Sequence, residues 1–219
     1  MRPAIIRATT RAAIRKMTRR YSGFGARALR IGVAGAGRAL FGGLLGLALP
    51  AFAADQAVDI CYNYGCSRSE QVVFTDADFE MVQTWLGAPA SAAEERLRIG
   101  RAIAIMYVAA ARTTPIWRDR GGNFPHDPED HIGVMDCIDH SANVTRFLEV
   151  LAARSLLRFH RAGPRVKRMR FLQDHWAGQV VDRATAESYA VDAWYFDHGV
   201  PALVLPMAKW RVLLDPWDL

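Results

Sequence analysis

The sequence predicts a domain that mixes α-helix with β-strand, the helices first and the strands after. Two observations carry this reading. From Thr75 to about Ser155, apolar residues recur at three- and four-residue steps between capping signals. From His175 onward the pattern changes to short apolar runs divided by turn residues, as strands require. Charge decides where the domain begins. Residues 1–53 hold ten Lys/Arg and no Asp/Glu, so the +6 of the 219-residue chain belongs to them, and residues 54–219 carry 18 basic against 22 acidic groups, a net of −4. A domain of that charge gives no reason to expect nucleic-acid binding.

The basic segment reads as a secretory signal. Arg19-Arg20 to Arg38 supply positive charge, and Ala39 to Ala53 form a 15-residue apolar run. That run is short for a membrane span of ~20 residues. Ala51-Phe52-Ala53 is an A-x-A cleavage site, which predicts a mature chain starting at Ala54, a single domain of 166 residues with no stable membrane anchor. Met17 is an alternative start, and Thr18-Arg19-Arg20 faintly resembles a twin-arginine signal, although the apolar run lies far downstream. The expected location is periplasmic or secreted.

In chain order, Ala54 to Glu70 is expected to be irregular or a short extended piece, and Gln71 to Phe74 a brief strand. Thr75 or Asp76 caps a helix carrying Phe79, Val82, Trp85 and Leu86, stopped by Gly87 and Pro89. Ser91-Ala-Ala-Glu94 is a capping box opening a helix to about Arg112, with Ile99, Ile103, Met106, Tyr107 and Ala110 on one face. Thr113 to Gly133 is a long loop, placed to form one wall of a cleft. Its cluster of His126, Asp127, Glu129, Asp130 and His131 matches no metal-ligand spacing and reads as solvated. Asp136 to Ser155 is helical, and Leu156 to Val166 carries the chain out of it. Arg165 to Arg170 is a basic run expected on an exposed strand edge or loop. Two strands follow, His175 to Val181 and Ser188 to Tyr195, then Ala202 to Leu205.

Three cysteines follow the leader. Cys61 and Cys66 flank Tyr-Asn-Tyr-Gly, and an oxidising compartment makes them a local disulfide. Asn63 and Gly65 tolerate the tight turn such a loop needs. Cys137 is then the odd thiol, at the start of a helix. A thiol attacks as thiolate, which a helix N-terminus and a nearby imidazolium favour. His175 is the candidate imidazole. If Val181 pairs with Ser188, His175 faces Trp194 and Asp192 lies on the same face, diagonally within reach. A one-residue slip would separate them. Asp192 would hold the imidazole in one tautomer, as the third member of a triad does. The Cys137 backbone N–H, free at the helix start, can donate to an oxyanion. Asn143, Trp117 and Trp176 are candidates for a second donor. Asp136 and Asp139 flank the thiol and oppose its ionisation. The bland alternatives are a core cysteine and a satisfied core histidine. His140, one turn beyond Cys137, competes for the base; Asp174 and Asp197 compete with Asp192.

Cysteine opening a helix, histidine on a strand and aspartate on the next strand resembles the transglutaminase-like, papain-related superfamily. Asp136-Cys137 with Asp139, Asp174-His175-Trp176 and Val191-Asp192-Ala193-Trp194 are similar to exported bacterial transglutaminase-like cysteine peptidases. The resemblance covers about Asp136 to Trp194. It implies an α+β fold, papain-like or transglutaminase-like, with the nucleophile helix packed on an antiparallel sheet. It also implies acyl transfer from an amide by Cys137, His175 and Asp192, through proteolysis, amide hydrolysis or crosslinking. The expected substrate is a peptide or cell-envelope amide, and no cofactor or metal is needed. The rival expectation is a catalytically inactive envelope binding or assembly protein of the same fold. A thiol–disulfide exchanger is disfavoured, because Cys61 and Cys66 lack the two-residue spacing of such motifs.

Overall fold

The computed structural model describes residues 55–123, 132–170 and 173–213. The segment expected to be a secretory leader, the His126–His131 cluster and the tail after Leu213 lie outside the described residues. Among the described residues no helix is long and apolar enough to cross a membrane.

The fold is α+β with antiparallel sheets. Strands β1 (Gln56–Tyr62) and β2 (Arg68–Phe74) form a two-stranded ribbon. Val58 pairs with Val72, so Val58, Ile60, Val72 and Phe74 share the buried face. The stretch before Glu70, expected to be irregular or a short extended piece, is thus largely strand, paired as a hairpin. Between β1 and β2 the turn takes positive φ at four successive residues, Asn63, Tyr64, Gly65 and Cys66. The Cys61–Cys66 disulfide closes it, with Cα atoms 4.7 Å apart.

Helix α1 (Asp76–Leu86) is capped by Thr75, whose hydroxyl accepts the Asp78 N–H while the Asp78 carboxylate accepts the Thr75 N–H. Helix α2 (Ala92–Ala110) is capped by Ser91. Only half of the predicted box forms there, since the Glu94 carboxylate reaches the Ala90 N–H at 2.8 Å. The five residues predicted for its apolar face are all buried. A 3-10 turn, Pro115–Arg118, opens the long loop. Helix α3 (Cys137–Ala153) is capped by Asp136. Tyr107, Phe74 and Phe147 meet edge to face, with centroids 5.1 and 5.7 Å apart, where α2, β2 and α3 converge. Full burial of a side chain such as Phe147 contributes roughly 1.5–3 kcal/mol.

The second sheet orders β3 (His160–Arg170), β4 (Gln173–Asp182), β5 (Ser188–Asp192) and β6 (Leu203–Pro206), all antiparallel; helix α4 (Met207–Val212) follows. Val181 pairs with Ser188, the register assumed from the sequence. The two faces of this sheet serve different partners. Gly178, Val180, Tyr189 and Val191 face the main core and α3, and a Cβ on Gly178 would lie 2.5 Å from Val144 Cγ1. Ala177 and Ala190 face the other way, against Trp210 of α4. The small residues on the His175 face thus admit α4, while the cysteine-bearing helix packs on the opposite face. Strand β3 divides the basic run. Arg165 and Lys167 are exposed, whereas Arg168 is buried and donates to the carbonyls of Trp210 and Leu213 and to the Tyr195 hydroxyl.

Candidate active site

Cys137 is the first residue of α3. Asp136 before it accepts the N–H groups of Ile138 and Asp139 on Oδ1, at 2.9 and 3.0 Å. Asp139 returns the favour, accepting the Asp136 N–H at 3.0 Å. The remaining oxygens hold the disulfide turn: Asp136 Oδ2 accepts the Gly65 N–H at 3.0 Å and Asp139 Oδ1 the Cys66 N–H at 2.7 Å. Successive N–H groups of a left-handed turn converge into an anion-binding nest, and here two carboxylates fill it. Asn143, one turn further, accepts the Cys61 N–H at 2.7 Å and donates to the Cys61 carbonyl at 2.8 Å. Its amide is thereby occupied, which removes it as an oxyanion donor.

The Cys137 thiol is half-buried and unbonded to either other cysteine. It lies 4.0 Å from the Asp174 carbonyl, and the Trp176 backbone N–H is directed at it. His175 is the residue between those two contacts. Burial, then the Asp136 and Asp192 carboxylates, push the thiol up to about 11, against the pull of the Trp176 and Cys137 N–H groups. Of the two flanking aspartates expected to oppose ionisation, Asp136 does so, while the second carboxylate acting on the thiol is Asp192 rather than Asp139.

His175 Nε2–H donates to Asp192 Oδ2 at 2.6 Å, and both side chains are buried. In the neutral imidazole that bond places the proton on Nε2 and leaves Nδ1 as the acceptor. Asp192 also accepts the Trp210 indole N–H on Oδ2, at 2.8 Å, and the Trp194 backbone N–H on Oδ1, at 3.2 Å. Burial works to raise the Asp192 carboxyl, but the His175 charge and these three bonds outweigh it and hold the group below its ordinary value. The imidazole is walled by Trp194, Tyr195 and Trp210, with ring centroids 4.9, 5.4 and 5.8 Å away.

The competitors are placed elsewhere. His140 is on the buried face of α3, its Nε2–H donating to Asp119 at 2.9 Å and its Nδ1 3.1 Å from the Tyr107 hydroxyl. Asp174 pairs with Lys167. The Asp197 side chain accepts the Gly121 N–H at 3.1 Å, tying down the start of the long loop. The Trp117 side chain is exposed, and the Trp176 indole lies under Arg165, 4.9 Å away. Among the described residues no group of three His, Cys, Asp or Glu side chains is arranged to hold a metal ion.

Two functional neighbours carried no local sequence signal. Asp119 sits in a loop of Arg, Gly and Pro and reads as solvated. It is fully buried, and besides His140 it accepts the Met135 N–H at 2.8 Å, fixing the chain just before Cys137. It is buried because residues 119–123 dock on 194–198, through Gly122 N–H to Trp194 O at 2.7 Å and the Trp194 indole to Asn123 O at 3.0 Å. The start of the long loop therefore lies against the wall of the His175 pocket. Trp210 is the other, an aromatic in a polar context whose partner lies 18 residues earlier.

No protein-family model matches the chain, and neither the curated proteins nor the solved structures contain a match.

Proposed function

We propose that the chain is an exported cysteine hydrolase or acyltransferase acting on amide bonds, built on a transglutaminase-like fold. The observation that carries this reading is the buried His175–Asp192 pair, bonded at 2.6 Å, with the Cys137 thiol against the strand backbone on both sides of His175. Cys137 Sγ attacks the carbonyl carbon of a peptide or cell-envelope amide as its proton passes to His175 Nδ1. The carbonyl π pair moves to oxygen, where the Cys137 N–H at the open helix start donates to it. Collapse expels the amine, which takes its proton from His175. Water, or an amine in a crosslinking reaction, then releases the acyl group. Asp192 stays ionised and holds the imidazole through Nε2. Export is supported by the disulfide and by the basic, apolar leader.

A thiol pushed up to about 11 favours a second reading, a binding or assembly protein with an inert cysteine. Carboxamidomethylation of Cys137 across pH 5–10, in the parent and in His175→Ala, separates the two. Attack assisted by His175 gives an appreciable rate at neutral pH that falls at least about tenfold in the variant. A lone thiol of raised pKa instead gives a rate climbing about tenfold per pH unit toward alkaline pH and indifferent to His175. That second profile would sink the enzyme reading.

A further inference from the structure

The Asp192 carboxylate is held from two sides that the chain supplies independently. One donor is the neighbouring Trp194 backbone N–H on Oδ1. A backbone donor on one oxygen leaves an aspartate free to turn about its broad terminal torsion. The second donor removes that freedom. Trp210 Nε1–H reaches Oδ2 at 2.8 Å, the same oxygen that receives the His175 proton. Trp210 is fully buried, and a buried indole N–H needs an acceptor, which apolar packing alone would not require at this position. Its helix is only six residues long, too short to persist unaided. Arg168 supplies the missing support. Its guanidinium donates to the carbonyls of Trp210 and Leu213, which end the helix, and stacks 5.0 Å from the Trp210 ring. Arg168 is the direct partner of His175 in the β3–β4 register, so the imidazole and the clamp on α4 start from one rung of the sheet.

We propose that Trp210 is a positioning residue, whose indole N–H fixes the Asp192 carboxylate for His175, and that Arg168 fixes Trp210. The catalytic sense of this role rests on the function proposed above.

The test removes the N–H alone. Trp210→Phe is compared with replacement of Trp210 by benzothienylalanine, which keeps the two-ring shape, in case the phenyl variant folds poorly. The first readout is the downfield proton resonance of His175 Nε2–H, assigned by its loss in Asp192→Asn. The second is the neutral-pH alkylation rate of Cys137. With Trp210 as positioner, both replacements move the resonance upfield, speed its exchange with water, and lower the alkylation rate about tenfold, the loss expected for one hydrogen bond to a charged group. Arg168→Met shifts both readouts in the same direction. An unchanged resonance and rate in the benzothienyl protein, while alkylation still depends on His175, overturns the positioning role alone. Alkylation that ignores His175 in the parent protein overturns the functional reading instead, whatever the resonance does.

Discussion

Asp139 carries the sharpest conflict at the residue scale. It is fully buried and its two oxygens accept backbone N–H groups, which favours the anion. Burial and the Asp136 carboxylate nonetheless push it up to about 7. A carboxyl raised in the folded state stabilises fully below its unfolded value, and that contribution is lost as pH rises through the folded value. Stability should therefore fall from pH 5 to pH 8 by up to about 3 kcal/mol. Urea unfolding at the two pH values reads this directly, and Asp139→Asn should flatten the difference; an equal slope in the variant would assign it to other groups. The capping roles at this helix start were legible, because Asp three residues before Asp is a local signal. The rise of Asp139 was not, since its first cause is burial, which only the tertiary fold creates, while the Cys66 N–H of the β1–β2 turn pulls the other way. His140 shows the same limit. Its helical spacing from Cys137 invites a catalytic role, and only the docking of residues 119–123 reveals that its Nε2–H is bonded to Asp119.

The β1–β2 turn and Gly178 decide matters at the element scale. Left-handed conformation costs about 1–2 kcal/mol per non-glycine residue, and Asn63, Tyr64 and Cys66 all adopt it. The disulfide and the two aspartates hold the turn in that shape. Replacing both Cys61 and Cys66 with Ala should cost about 2 kcal/mol from loop closure alone. Because the turn's N–H groups are bonded to Asp136 and Asp139, hydrogen exchange should also rise across the first turn of α3. Protection unchanged there would show that the cap stands without the turn. Gly178 sets the depth at which α3 lies on β4. Gly178→Ala forces Val144 to give way and should destabilise by about 1–3 kcal/mol, measured by thermal or urea unfolding. Most elements were readable because capping and periodicity are local. In the sequence, strand β1 stands between irregular and extended because Cys61 and Tyr62 are both apolar at its end, which breaks the alternation of Val58 and Ile60. The His175–Asp192 pair was readable because one assumed pairing, Val181 with Ser188, fixes every side chain on two strands. The face on which α3 packs was not, since small residues line both faces of β4.

For the whole molecule, the candidate site draws on nearly the full length of the described chain. Cys137 belongs to a helix whose start is tied to residues 63–66; His175 and Asp192 belong to a sheet whose far face is closed by residues 207–213. Residues 54–219 carry a net of −4, so the +6 of the full chain resides in residues 1–53. The turn that bridges Cys61 and Cys66 has one more consequence. A fragment beginning at Arg68 would retain Cys137, His175 and Asp192, every residue that the chemistry names. It would nonetheless leave Asp136 Oδ2, Asp139 Oδ1 and the Asn143 amide without the groups they now hold. Under the proposed chemistry the shortest competent chain is thus set by what steadies the thiol, and oxidation of Cys61 and Cys66 would be a step in maturing Cys137.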